Sequence, residues 1–487
     1  MNANFLAIDL GASSGRVILG QYDDARFTLQ ELHRFENGGV DLLGHLHWDI
    51  LRLWTEIKRG IAVYTRQWDA PLVSIGVDSW AVDYSLLDAH GRLLGNPYHY
   101  RDRRTQGMIE RVNIHMSRAA RYQSTGIQVL PFNTLYQLAS QAADPLLGQA
   151  ETLLLIPDLL HYWLTGRMAI EYTNASTTEL LNCHTRQWDA ELLERLGLPA
   201  RLLPPVIAPG TVLGPVLPAV LREVGLSGAV QVVAPGTHDT ASAVAGVPGL
   251  DAQSCYISSG TWSLVGVETT APVTSAAARE LNITNEGGVA GTIRLLKNVG
   301  GLWLLQESQR AWAQHGQQLA WQELLRDAAQ AAPFASLIDP DAADFLSPAD
   351  MPAAIRALCA RTGQPAPATP AALARCCLES LALRYRWVIE ALERISGQAI
   401  TTIRIVGGGS QNQLLCQMTA DACGRSVIAG PVEATAFGNL IVQAIASGYI
   451  TDLAAGRRAI AASVAQDQYA PQHTNDWDAA YVRFQTL

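Results

Sequence analysis

Three short stretches carry residue types that could do chemistry. The first is Asp9, which closes the apolar run Phe5-Leu6-Ala7-Ile8 and leads into Leu10-Gly11-Ala12-Ser13-Ser14-Gly15-Arg16. A turn of Gly, Ala and Ser offers bare backbone N–H groups and hydroxyls, which suits an anion such as a phosphate chain. A carboxylate at its base could face a hard cation that bridges phosphates. The second is Ser258-Ser259-Gly260-Thr261, again between apolar runs (Cys255-Tyr256-Ile257 and Trp262 to Gly266). The third is Gly236-Thr237-His238-Asp239-Thr240, running into Ala241-Ser242-Ala243. Here Asp239 could serve as a general base that takes a proton from an attacking hydroxyl; the same residue also suits a helix N-cap.

The string Gly11 to Gly15 also fits G-x-S-x-G, but a hydrolase elbow needs strands before it and a helix after it. Only four residues precede Phe5, and Arg16-Val17-Ile18-Leu19-Gly20 reads as a second strand. The chain has two lysines, Lys58 and Lys297, neither following a glycine, so no Walker A loop exists. The G-x-G-x-x-G spacing also fails, because Asn412 stands where the third glycine after Gly407 and Gly409 should be.

These residues need elements to hold them. Phe5–Leu10, Arg16–Gln21 and the alternating Thr28–Phe35 read as three strands. Asp49 is placed to cap a helix whose Trp54, Ile57, Ile61 and Tyr64 recur at helical spacing. Leu72–Val77 and Val82–Leu87 read as two further strands ahead of the turn Ala89-His90-Gly91. In the second half the pattern predicts a helix over Ala371–Ser396 after the loop Pro365–Pro370. A strand Thr402–Val406, a glycine turn and a helix from near Ser410 to Gly424 follow. A glycine turn after a strand lets a planar ligand approach the backbone; it is also an ordinary tight turn.

The 487 residues are too many for one core. The cluster Gly246, Pro248 and Gly249 suggests a boundary, giving domains 1–247 and 248–487. A net charge of −9 without a basic cluster argues against nucleic acid. No apolar run approaches the roughly 20 residues of a membrane span, and nothing at the start reads as a secretory leader. Seven cysteines, with no C-x-x-C pair, suit reduced thiols, although a Cys359–Cys376 bridge is conceivable. The expectation is a cytoplasmic enzyme. His45 and His47 share a strand face without a third ligand nearby, so a solvated hairpin is expected there rather than a metal site. Trp80 reads either as core or as a platform for a ligand.

The chain resembles the FGGY carbohydrate kinases over essentially its whole length. The resemblance is carried by Asp9 to Arg16, Asp78-Ser79-Trp80-Ala81-Val82-Asp83, Tyr100-Arg101-Asp102, Leu130 to Gln137 and Tyr172-Thr173-Asn174-Ala175. It continues with His238-Asp239-Thr240, Ser258 to Leu264, Asn285-Glu286-Gly287-Gly288, Lys297-Asn298 and Val406 to Asn412. It implies an α/β, two-lobed, actin-like or hexokinase-like (ribonuclease H-like) ATPase fold with an interlobe cleft. The first lobe would bind sugar and carry the first phosphate turn, and the second would bind nucleotide. The implied substrates are ATP, with Mg²⁺, and a ketose phosphorylated on its 1-hydroxyl. L-Rhamnulose is the expected ketose, in L-rhamnose breakdown; L-fuculose or a pentulose is the alternative, and a silent sugar sensor the non-enzymatic one. By the same resemblance Ala12, Ser13, Ser14, Gly15, Arg16, Thr261, Asn298, Gln306 and Gly408 would contact ATP. Asp239 would be the proton acceptor, Ala81, His238 and Thr240 would join it on the sugar, and Asp9 would face the metal, through water. The family's sugar loop usually has glycine where this chain has Ala81, which narrows the pocket by a methyl. The oligomeric state is not implied.

Overall fold

A computed structural model describes residues 3–346 and 348–487. The chain divides into two compact units. The first holds the residues up to Gly249, and Glu268–Leu295 and Ala434–Val464 return to it; the second holds Leu250–Val267, Leu296–Glu433 and Ala465–Leu487.

The sheet of the first unit has six strands, in the order Val212–Pro215, Gln231–Val233, Leu72–Ser79, Ala3–Leu10, Ser14–Tyr22, Phe27–Glu36. The last three form an antiparallel meander, and Leu72–Ser79 and Gln231–Val233 add in parallel on the other side of Ala3–Leu10. Every residue of Ala3–Leu10 is buried, as expected for a strand covered on both faces. One cover is the helix Ile50–Gln67. Asp49 caps it, accepting from Arg52 N at 3.1 Å, and Leu53, Ile57, Ile61 and Tyr64 are its buried stripe. The other is Ala434–Ala446, which packs on Ala3–Leu10 and Leu72–Ser79.

The expected strand Val82–Leu87 is shorter than its apolar pattern. It covers Tyr84–Leu87 and pairs with Thr152–Leu155 outside the main sheet. Val82 adopts φ +68°, a costly conformation for a β-branched residue. The polar contacts of Asp83, described below, over-determine this bend, and periodicity does not register them.

In the second unit Ser254–Ser259 and Trp262–Thr269 form an antiparallel hairpin. Thr402–Val406 joins it in parallel, then Ser426–Ala429 in parallel and Asp467–Tyr469 antiparallel. This repeats the opening of the first unit: a hairpin, then parallel strands. The long helix runs Pro370–Ser396. Thr369 caps it, Pro370 occupies the first turn, and Gly397 ends it at φ +73°, each residue suited to its position. The glycine turn leads first into a short 3-10 stretch, Gly408–Gln411; the helix proper is Gln413–Cys423, capped by Asn412 and stopped at Gly424. All seven cysteines are free thiols. No described helix is long and apolar enough to cross a membrane.

Candidate active site

Parallel strands present their carboxyl ends on one side of a sheet, where α/β proteins place ligands. Asp9 and Asp78 are register partners at the ends of adjacent parallel strands. The next segment is drawn in by a bridge between Ser79 and His238, with Ser79 N donating to Thr237 O at 2.9 Å. Backbone pairing alone therefore gathers Asp9, Asp78 and Asp239.

The three carboxylates differ in surroundings. Asp9 is 5% exposed and accepts from Arg16 Nη2 at 2.5 Å. Asp78 is fully buried; its Oδ2 accepts from Asn439 Nδ2 at 2.6 Å, while its Oδ1 has no hydrogen-bond partner. Burial pushes the Asp78 pKa well above the ordinary carboxylate value, and the charge of Asp9 adds to this. Asp239 is the first residue of the helix Asp239–Ala245; the N-cap position belongs to His238, so Asp239 is not the cap. Its carboxylate accepts from Thr240 N at 2.6 Å and Thr240 Oγ1 at 3.2 Å, and its side chain remains 28% exposed. Desolvation raises its pKa, with help from the charge of Asp9 and against the pull of His238 and Thr240. A carboxylate with raised pKa and open access is a stronger base than a solvated one.

A buried bracket holds the turn before Asp239. Glu171, fully buried, accepts from Thr173 N (2.8 Å), Thr173 Oγ1 (2.5 Å), Thr237 N (2.9 Å) and Thr237 Oγ1 (2.8 Å). His238 N donates to Thr173 Oγ1 at 3.2 Å. Burial raises the Glu171 pKa and these bonds oppose it.

The loop of Trp80, Ala81 and Val82 hangs on Asp83. Its Oδ2 accepts from Trp48 Nε1 at 2.6 Å, Trp80 Nε1 at 3.0 Å and Tyr100 N at 3.1 Å; its Oδ1 accepts from Gln137 Nε2 at 2.8 Å. Desolvation, partly offset by these donors, raises its pKa to about 6. Trp80 is buried against Trp48, with ring centroids 3.9 Å apart; the indole is core here, and Ala81 keeps a half-buried place beside it. His45 and His47 lie on the hairpin strand His45–Trp48, against Asp102 and Tyr98.

The first Ser/Gly turn closes with Gly11 N donating to Ser14 O at 2.9 Å, and Asn37 Nδ2 holds Gly11 O at 2.8 Å. Ser13 is exposed, Ala12, Ser14 and Arg16 are half-buried, and Gly15 is buried. A Cβ on Gly15 would stand 2.3 Å from the Phe35 ring, so packing requires this glycine. In the second unit Gly260 N donates to Trp262 O at 2.8 Å, and Thr261 Oγ1 donates to Gln306 Oε1 at 3.1 Å. Thr261 and Gln306 are thus brought together; Asn298 is half-buried on the strand Ile293–Gly300. Of the three glycines after Val406, Gly407 and Gly409 would each press a Cβ on Ser259. Gly408 alone has open space there.

Sequence reasoning missed Glu171, the role of Asp78, and the helix Ala434–Ala446. That helix sends Asn439 to Asp78 and Gly76, while Gln443 Nε2 reaches Leu6 O at 3.0 Å. Its Gly438 lies so close to Ser242 O that a Cβ would come within 1.7 Å, pressing the Asp239 helix into place. The available signal was a pair of amides four apart, Asn439 and Gln443, in an otherwise apolar run, which marks a polar grip inside a core.

The described residues contain no cluster of three His, Cys, Asp or Glu able to cage a metal. Residues 4–246 match the N-terminal domain of the FGGY family of carbohydrate kinases, and residues 255–447 match its C-terminal domain. The chain is 46% identical to a rhamnulokinase of Bacteroides thetaiotaomicron over 486 residues, 99% of both chains. It is 43% identical to a rhamnulokinase of Enterococcus faecalis, covering 96% of this chain and 94% of that one. Among solved structures, a ligand-bound xylulose kinase from Lactobacillus acidophilus superposes with TM-score 0.81 at 17% identity, covering 99% of this chain and 97% of that one. Glycerol kinase from Plasmodium falciparum with ADP gives 0.76 at 15%, covering 100% and 97%. With both family domains matched in succession and the two-unit α/β fold shared with sugar kinases, the chain belongs to the FGGY family of carbohydrate kinases.

Proposed function

We propose that this enzyme transfers the γ-phosphoryl group of ATP to the 1-hydroxyl of L-rhamnulose, giving L-rhamnulose 1-phosphate and ADP in the breakdown of L-rhamnose. The observation that carries it is an accessible carboxylate, Asp239, at a helix start beside Asp9, in a chain 43–46% identical to rhamnulokinases over nearly its full length. Asp239 takes the proton of O1 as that oxygen bonds to the γ-phosphorus and the bond to the β-phosphate oxygen breaks. Ala81, His238 and Thr240 face the sugar; Ala12 to Arg16, Thr261, Asn298, Gln306 and Gly408 serve ATP. The site of action is the cytoplasm.

Mg²⁺ fits the acidic end of the first unit, where the fully buried Asp78 carboxylate leaves one oxygen without a partner. Asp9 would face the ion through water, since Mg²⁺ dehydrates reluctantly; when bound, the ion neutralises phosphate charge. Holding the hydroxyl in line supplies up to about 7–11 kcal/mol of barrier reduction, and a general base about 3–5 kcal/mol. Positioning is the larger effect, which gives the Glu171 bracket its importance.

ADP release measured over a panel of ketoses tests the proposal. L-Rhamnulose should give the highest kcat/KM. Preference for L-fuculose or a pentulose would reassign the substrate, and binding without turnover would make the chain a sensor.

A further inference from the structure

His238 is held from behind by a buried pair that the chemistry above does not use. Its Nδ1 lies 3.1 Å from Arg294 Nη2. A guanidinium has only hydrogens to give, so Nδ1 must be the acceptor. The same Nη2 lies 3.2 Å from Glu286 Oε2, an ion pair that holds the guanidinium beside the ring without the geometry of a hydrogen bond. Arg294 Nε donates to Gly287 O at 2.8 Å, fixing the plane of the group. Arg294 is fully buried and the Glu286 side chain is 5% exposed. The opposite arrangement, with Nδ1 donating to Glu286 Oε2, would span 3.4 Å, beyond the usual N–H···O range. It would also turn the Nδ1 hydrogen toward a guanidinium hydrogen.

With Nδ1 accepting, the ring proton of neutral His238 is on Nε2, the nitrogen 3.5 Å from Asp239 Oδ1. That separation is long for a direct bond. It allows two neighbouring oxygens of one substrate to meet the two groups, the reacting hydroxyl at Asp239 and the adjacent oxygen at Nε2.

We propose that Arg294 and Glu286 are positioning residues that hold His238 as the Nε2–H tautomer, so that the ring donates a hydrogen bond to the ketose oxygen next to the reacting hydroxyl. The second clause rests on the ketose kinase reading; the tautomer itself does not.

Nitrogen NMR of the full-length enzyme labelled with ¹⁵N-histidine reads the tautomer directly, with His238→Gln identifying the signals by their loss. The expected spectrum shows Nδ1 unprotonated and Nε2 protonated, and a shift toward a mixture in the charge-neutral double variant Arg294→Met/Glu286→Gln. A protonated Nδ1 in the unsubstituted enzyme would overturn the proposal, whatever the variants do. In kinetics, His238→Gln can place an amide N–H near the Nε2 position and should keep kcat/KM for the ketose within about tenfold. His238→Asn reaches only the Nδ1 position and should lose about a hundredfold. The double variant should raise KM for the ketose about tenfold while KM for ATP stays unchanged. Equal losses in His238→Gln and His238→Asn would refute the donor role. Failure to phosphorylate any ketose would sink the functional reading and leave the NMR result standing.

Discussion

The two Ser/Gly hairpins are built on the same plan and differ in the groups that face each other across the turn. In the first unit Asp9 faces Arg16 across the hairpin, and the turn is followed by acidic groups at the neighbouring strand ends. In the second, Ser259 faces Ser263, Gly260 closes the turn, and Gly407 and Gly409 pack their bare backbones against Ser259. Both pack a glycine closely, Gly15 against Phe35 in the first, but the first adds the ion pair of Asp9 and Arg16 where the second has two serines face to face. A repeated topology can thus offer different chemistry from its two copies: a paired carboxylate in the first, and bare backbone approached by glycines in the second.

That difference can be broken by substitution. Asp9→Asn should lower kcat at least about a hundredfold with little loss of fold, because Asn keeps the shape and removes the charge; steady-state kinetics with a thermal melt checks both. A similar loss from a charge-neutral change at the second hairpin, such as Ser263→Ala, would erase the contrast. Removing the bracket with Glu171→Ala leaves the Thr173 and Thr237 N–H groups unpaired in the core. It should cost about 2–4 kcal/mol of stability by denaturant titration and lower kcat more than it raises KM for ATP. Next in size, Gly409→Ala should destabilise by about 1–3 kcal/mol through its clash with Ser259, whereas Gly408→Ala should cost less than about 1 kcal/mol. Equal effects would show that packing does not separate these glycines.

How far the sequence discloses this depends on which force sets each residue. Both hairpins, the Asp49 cap and the helix ending at Gly397 were legible, because turn chemistry, caps and helical spacing are local. The Val82 bend was not: its cause is a carboxylate, Asp83, collecting donors from Trp48, Tyr100 and Gln137 far along the chain. Nor was the return of Ala434–Ala446 beneath Asp9 and Asp78, since it depends on Gly438 meeting Ser242. Asp239 itself could be picked out by type and position, but its raised pKa comes from burial and from Asp9, which only the strand register brings near.

The smallest expected effect is on pH. As the proposed base, Asp239 must be ionised to accept a proton, so kcat should fall as pH drops through its pKa, which lies above the ordinary value of 3.8. Removing the negative charge of Asp9 should move that acid limb downward in the residual activity of Asp9→Asn, while Gly408→Ala should leave it in place. A limb unmoved by Asp9→Asn would show that the two carboxylates do not interact.

The most direct measurement is a single-turnover phosphorylation of L-rhamnulose by Asp239→Asn, alongside its equilibrium affinity for ATP. A general base at this position requires the chemical step to slow at least about a hundredfold while ATP binds nearly as before. Undiminished phosphoryl transfer by the variant would remove Asp239 from the reaction.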